Sequence, residues 1–109
     1  MTEEHNIQNQ IRAALSPYAV IFRANVGTAY TADGRYFTTG LPKGFSDLFG
    51  FRRFDGRAIF IEVKTPKGRV RPEQQKFIEA MQSFGAIAGV CRSVDDALKL
   101  IGGDNDGSK

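Results

Sequence analysis

Asp55-Gly56-Arg57-Ala58-Ile59-Phe60-Ile61-Glu62-Val63-Lys64-Thr65-Pro66-Lys67-Gly68 is the stretch on which the fold turns. Asp-Gly is a two-residue turn signal. The run behind it, 58–64, is rich in β-branched and aromatic residues and reads as a strand. Successive strand residues alternate faces. Ile61 and Val63 therefore point to a core, while Glu62 and Lys64 share the opposite face at the strand's end. Pro66-Lys67-Gly68 stops the sheet. Before the turn, 47–54 reads as the other arm of an antiparallel hairpin.

Downstream, Pro72 suits the first position of a helix over 72–84, and Gly85 ends it. Residues 86–91 form a further strand, and Ser93 caps a last helix over 94–101, closed by Gly102-Gly103. A strand, a helix and a strand in succession make a crossover, so strands 58–64 and 86–91 are expected to be parallel. Upstream, Thr2 caps a helix running to Leu15, with Glu3 and Glu4 in its first turn and Ile7, Ile11, Ala14 and Leu15 as its apolar stripe. Ser16-Pro17 ends it, and 18–23 reads as a strand. A long polar connection follows, with a short hairpin expected around Asp33-Gly34. The expected class is α/β: a mixed four-stranded sheet flanked by helices, in the order α-β-β-β-α-β-α. Residues 1–103 make one domain. Residues 104–109 have no apolar side chain and are expected to be a disordered tail.

The chain has 109 residues, one cysteine and one histidine. One cysteine cannot form an internal disulfide or a cysteine-rich zinc module. Histidine-based hydrolysis would have to rely on His5, near the terminus. No apolar run approaches the ~20 residues that span a membrane, and no signal-peptide pattern opens the chain. The expected setting is a reduced intracellular compartment. The net charge of +3 is unevenly spread. Residues 1–42 are neutral, 43–76 carry nine cations against four anions for a net +5, and 95–109 are net −2. A basic middle third suits a polyanion partner, though such a segment can equally serve as a solvated surface.

Read alone, Glu62 and Lys64 could be an ordinary ion pair. Asp47 adds to them. It lies eight residues before Asp55, and Glu62 lies six after Gly56, so both carboxylates fall at one end of the hairpin. Two adjacent carboxylates repel, and holding both ionised takes a cation. A hard divalent ion such as Mg²⁺ accepts a couple of carboxylates and keeps several waters. Such an ion could polarise a phosphodiester and activate a water, with Lys64 orienting that water or stabilising the developing charge. By helical phase Gln74 extends the buried face of its helix through Phe77, Ile78 and Met81, and Glu4 extends the stripe of Ile7, Ile11 and Leu15. Gln74 could equally be a helix-end hydrogen bonder, and Glu4 a first-turn residue favoured by the helix dipole.

Asp47 followed by Glu62-x-Lys64 resembles the PD-(D/E)XK nuclease signature. The wider set is more specific: Arg23-x-Asn25-x-Gly27, Gly44-Phe45-Ser46-Asp47-Leu48, Glu62-Val63-Lys64-Thr65-Pro66-Lys67-Gly68 and Pro72-Glu73-Gln74. Together they resemble the VRR-NUC family, the virus-type replication-repair nucleases, over nearly the whole chain. The resemblance implies a restriction-endonuclease-like fold and Mg²⁺- or Mn²⁺-dependent cleavage of DNA. Asp47, Glu62 and the Val63 carbonyl would hold metal, and Lys64 would be the catalytic lysine. Gln74 would support the site, and Glu4 would approach it from the first helix. Lys67, Arg69 and Arg71, with Lys43, Arg23 and Asn25, would bind DNA. One departure stands out: the family usually has proline where this chain has Ser46. Stand-alone viral and bacterial members are similar to Holliday junction resolvases, so the resemblance implies the cytoplasm of a bacterial or phage-infected host cell as the setting. One domain has one active site, so cutting two strands symmetrically implies a homodimer on branched DNA. The alternative is a non-catalytic DNA-binding module, or a subunit of a larger DNA-processing complex.

Overall fold

The computed structural model describes residues 2–25, 28–38 and 40–103. Expectations that fall on Val26, Gly27 and the tail 104–109 lie outside the described residues.

Helix α1 (Glu3–Leu15) starts as expected: the Thr2 hydroxyl accepts from the His5 amide at 3.1 Å, and Glu3 and Glu4 fill the first turn. Ile11 and Leu15 are fully buried on its inner face. Strand β1 (Ala19–Arg23) follows. The long connection then holds a separate hairpin of β2 (Thr28–Tyr30) and β3 (Tyr36–Thr38). Its turn sits where Asp33-Gly34 placed it, with Gly34 in the left-handed region and Thr31 N donating to Arg35 O at 2.7 Å.

The main sheet adds β4 (Leu48–Arg52), β5 (Ala58–Val63) and β6 (Ile87–Cys91), with α2 (Pro72–Ser83) between β5 and β6 and α3 (Val94–Gly103) last. Its order is β1-β4-β5-β6. β1/β4 and β4/β5 are antiparallel, and β5/β6 are parallel, as the crossover requires. The main-sheet strands and the helices thus keep the order α-β-β-β-α-β-α. The β2/β3 hairpin is an insertion between the first and second strands of that sheet.

The strand periodicity of β5 separates two layers. Ile59, Ile61 and Val63 pack with Ile11 and Leu15 of α1 and with Ala97 and Ile101 of α3. On the other face Phe60 meets Phe45 and Phe77 at ring-centroid distances of 5.9 and 5.5 Å. Phe77 belongs to α2, so Glu62, two residues along from Phe60, faces α2 as well.

The β4/β5 turn differs from the two-residue form expected. Arg52 N donates to Arg57 O at 2.9 Å, so four residues, 53–56, make the loop. Asp55 widens it: its carboxylate takes two hydrogen bonds from the Arg52 guanidinium, at 3.1 and 2.6 Å, and one from Arg57 N. The Arg52 hydrogen bond comes first among the causes that hold the Asp55 pKa down at about 2. The register moves by two residues, which keeps every side chain on its expected face. Leu48 pairs Ile61, and the next step outward sets Asp47 beside Glu62. A two-residue turn would instead have set Asp47 beside Lys64.

Among the described residues no helix is long and apolar enough to cross a membrane.

Candidate active site

Four chain segments meet where the β4/β5 hairpin ends. Asp47 arrives from the loop before β4. Its backbone carbonyl accepts from Ala24 N at 2.8 Å, and its Oδ2 accepts from Val63 N at 2.9 Å. The carboxylate is thereby tied to the strand that carries Glu62. The approach to Asp47 depends on Gly44, buried at φ +95°, where a Cβ would lie 2.5 Å from Glu73 O. Only glycine lets this loop lie against the first turn of α2. Ser46, in the position where the family resemblance led one to expect proline, is fully buried, and its hydroxyl donates to Leu48 O at 2.9 Å.

Glu62 is 2% exposed. Its Oε2 accepts from Gln74 Nε2 at 2.8 Å and lies 3.6 Å from Lys64 Nζ. Its Oε1 is buried with no hydrogen-bond partner. An unmatched buried carboxylate oxygen is costly and calls for a reason. Burial, then the negative charge of Asp47, pushes the Glu62 pKa from its ordinary 4.5 up to about 8; the Lys64 cation opposes the rise, while a hydrogen bond shared with the Asp47 carboxyl and the charge of Glu4 add to it. Gln74 is also buried. Its Oε1 accepts from Arg71 N at 2.9 Å while its Nε2 donates to Glu62, so both partners fix the orientation of the amide. Gln74 is thus the helix-end hydrogen bonder of α2 and also reaches Glu62.

Glu4 is half-buried in the first turn of α1, near enough for its charge to act on Glu62. Lys64 is 9% exposed. Arg23, Asn25, Lys43, Lys67, Arg69 and Arg71 are exposed. Arg71 Nε lies 3.6 Å from Glu73 Oε2. Arg23 Nη1 lies 2.6 Å from His5 Nε2. A guanidinium only donates, so Nε2 is the acceptor in this contact.

Two further polar residues escaped the sequence reading. Gln8 is buried with an unpartnered Oε1, one turn along α1 from Glu4. Its spacing of four from Glu4 and three from Ile11 was a visible signal, masked by the apolar stripe around it. Arg92 Nη1 donates to Thr65 O at 2.6 Å and Gly68 O at 2.7 Å. No spacing connects an arginine after β6 with a loop some two dozen residues earlier.

Among the described residues no three His, Cys, Asp or Glu side chains gather as a metal cage. The donor set that is present fits a hard cation: two adjacent carboxylates, one of them with a free buried oxygen. Cysteine chemistry is unavailable here, because burial pushes the Cys91 thiol up to about 12.

The sequence model of the VRR-NUC domain family matches residues 23–95. A search of curated proteins finds no match. A solved structure described as "VRR_NUC domain" is similar with a TM-score of 0.65 at 22% identity, covering 93% of this chain and 96% of that one.

Proposed function

The chain belongs to the VRR-NUC domain family, and from that premise we propose that it is a Mg²⁺- or Mn²⁺-dependent DNA endonuclease with Asp47, Glu62 and Lys64 at its centre. Family membership supports a nuclease-type fold and a nucleic-acid substrate. The observation that carries the finer reading is the unpartnered buried Oε1 of Glu62 beside Asp47. An ionised carboxylate so placed is destabilised until a cation, or a proton shared with Asp47, reaches it.

Asp47, Glu62 and the Val63 carbonyl are the groups that would hold the ion. When bound, it supplies Lewis-acid polarisation of the scissile phosphate and a water of lowered pKa. Lys64 orients the attacking water and stabilises the added negative charge at phosphorus. The water gives up a proton to solvent as its oxygen bonds to phosphorus, the bond from phosphorus to one ester oxygen breaks, and the departing alkoxide takes a proton from solvent. Gln74 keeps the Glu62 Oε2 in place. Glu4 adds negative charge from α1. Lys67, Arg69 and Arg71 hold backbone phosphates beside the site, together with Lys43, Arg23 and Asn25.

We further propose branched DNA as substrate, with the four-way junction as the leading candidate, and a homodimer as the active form. Exposed Phe51, Phe54, Tyr30 and Tyr36 supply apolar surface for such an interface. The test is a cleavage panel of single strand, duplex, flap, nick and four-way junction, each with Mg²⁺, Mn²⁺ or EDTA. Cleavage of a branched substrate with metal and none in EDTA is expected. Cleavage in EDTA, or none with either metal, sinks the assignment. Sedimentation at assay concentration tests the dimer.

A further inference from the structure

We propose that Arg92 is a positioning residue that turns the loop 65–69 into a phosphate cradle made of backbone amides. The inference rests on the nucleic-acid reading above and goes beyond the side chains named there.

The Arg92 guanidinium sits under the loop that follows Lys64. Nη1 donates to Thr65 O at 2.6 Å and to Gly68 O at 2.7 Å, with Pro66 O at 3.4 Å. Arg92 is itself anchored, because its backbone N–H donates to Asp96 Oδ2 at 2.9 Å, and its neighbour Cys91 O accepts from Lys64 N at 3.1 Å. Three carbonyls of one short loop thus converge on a single cation. Their convergence has a geometric consequence. There are no cis peptide bonds among the described residues, and in a trans peptide the N–H points opposite to the preceding C=O. With the carbonyls of Pro66 and Gly68 turned toward Arg92, the N–H groups of Lys67 and Arg69 are turned away from it. Gly68 N does not compete for this outer side, since it donates to Thr65 O at 3.0 Å. The outer side of the loop therefore presents two amide donors together with the exposed side chains of Lys67 and Arg69. Successive outward N–H groups in a turn make an anion-binding concavity.

The loop is also framed by the site. Lys64 lies at its beginning, and Arg71, whose amide is bound to Gln74, lies just beyond its end. Arg92 never touches the phosphate held by the Lys67 and Arg69 amides. It neutralises the inward carbonyls that would otherwise be free to rotate outward and repel it.

The experiment titrates ¹⁵N-labelled protein with a four-way junction in EDTA, where binding proceeds without cleavage. The Lys67 and Arg69 amide resonances are expected to shift downfield in the wild type. Arg92→Met is expected to lose these shifts and to weaken binding about ten- to a hundredfold, as for one or two charge-assisted hydrogen bonds. Arg92→Lys restores part of both. In Mn²⁺ turnover, Arg92→Met is expected to raise KM and leave kcat within about twofold, because the metal site is untouched. Unmoved Lys67 and Arg69 amides in DNA-bound wild type overturn the proposal, and so does wild-type binding by Arg92→Met or a fall confined to kcat. Absence of any DNA binding by the wild type defeats the nuclease reading instead, and is recognised as such because no resonance anywhere moves.

Discussion

Replacing Glu62 with glutamine should make the metal-free protein more stable at alkaline pH while ending its activity. Glu62 is 2% exposed, and its pKa rises from 4.5 to about 8 on folding, first through desolvation and then through the Asp47 charge. A carboxyl with a raised folded pKa binds its proton more tightly when folded. Its ionisation therefore costs stability progressively as pH rises from about 4.5 to about 8, and the loss is complete above that range. At about 1.4 kcal/mol for each pH unit separating the two values, the full cost is about 5 kcal/mol as an upper figure. Glutamine removes the charge and keeps an acceptor for Gln74 Nε2. It gives up the Lys64 ion pair and buries an amide, together a loss of about 1–3 kcal/mol. That loss is the same at every pH, so the gap between Glu62→Gln and wild type should widen in favour of the variant by about 4 kcal/mol between pH 5 and pH 8.5. Urea unfolding in EDTA followed by far-UV circular dichroism measures it, and suits a chain with no tryptophan. Adding Mg²⁺ at pH 8.5 should stabilise the wild type and leave the variant unchanged. A gap that stays constant with pH, or a variant less stable than wild type at pH 8.5, would refute the reasoning.

Lys64→Ala should cut the cleavage rate by at least about a hundredfold while a gel-shift assay shows DNA still bound, as the role proposed for Lys64 at the reacting phosphate requires. Equal losses in binding and cleavage would place it in substrate capture instead. Gln74→Leu removes the hydrogen bonds to both Arg71 N and Glu62 Oε2, and should destabilise by about 1–3 kcal/mol in urea unfolding. It should also slow cleavage, and an unchanged rate would remove Gln74 from the site. Gly44→Ala adds a Cβ 2.5 Å from Glu73 O at a positive φ, so thermal melting should show a loss of at least about 2 kcal/mol. Calorimetry should show weaker Mn²⁺ binding by the same variant, because Asp47 lies three residues on.

Much of this was legible in the sequence because it depends on period and on local chemistry. The alternation in 58–64 put Glu62 and Lys64 on one face, and the phase of 72–84 turned Gln74 toward the sheet. Both hold in the structure, where Gln74 and Glu62 lie 2.8 Å apart. Thr2, Pro72, Gly85 and Ser93 marked helix ends through caps that need only their neighbours. The four-residue turn was not legible, because Asp55-Gly56 has the composition of a two-residue turn. What widens it is the Asp55 carboxylate drawing in Arg52, whose Nη1 also reaches Ile101 O across the molecule. The Ser46 hydroxyl and the Arg92 contacts were hidden for the same reason: each depends on tertiary placement.

The direct pairing of Asp47 with Glu62 has an energetic meaning that the ion-pair alternative lacks. A structural ion pair would match one carboxylate to one cation and lower the carboxyl pKa. Here Lys64 lies 3.6 Å from Glu62, and the Glu62 pKa moves up despite it. Asp47 is held close by a backbone hydrogen bond, where an outward rotation would have relieved the repulsion. Gln74 likewise keeps Glu62 in the buried position by an amide hydrogen bond. Two separate devices therefore maintain an arrangement that lowers the stability of the metal-free fold. Such an arrangement makes sense if a ligand of high positive charge density binds there and offsets the repulsion. That is why the apparent stability of this protein should respond to divalent cation far more strongly than its low count of charged ligands alone would suggest.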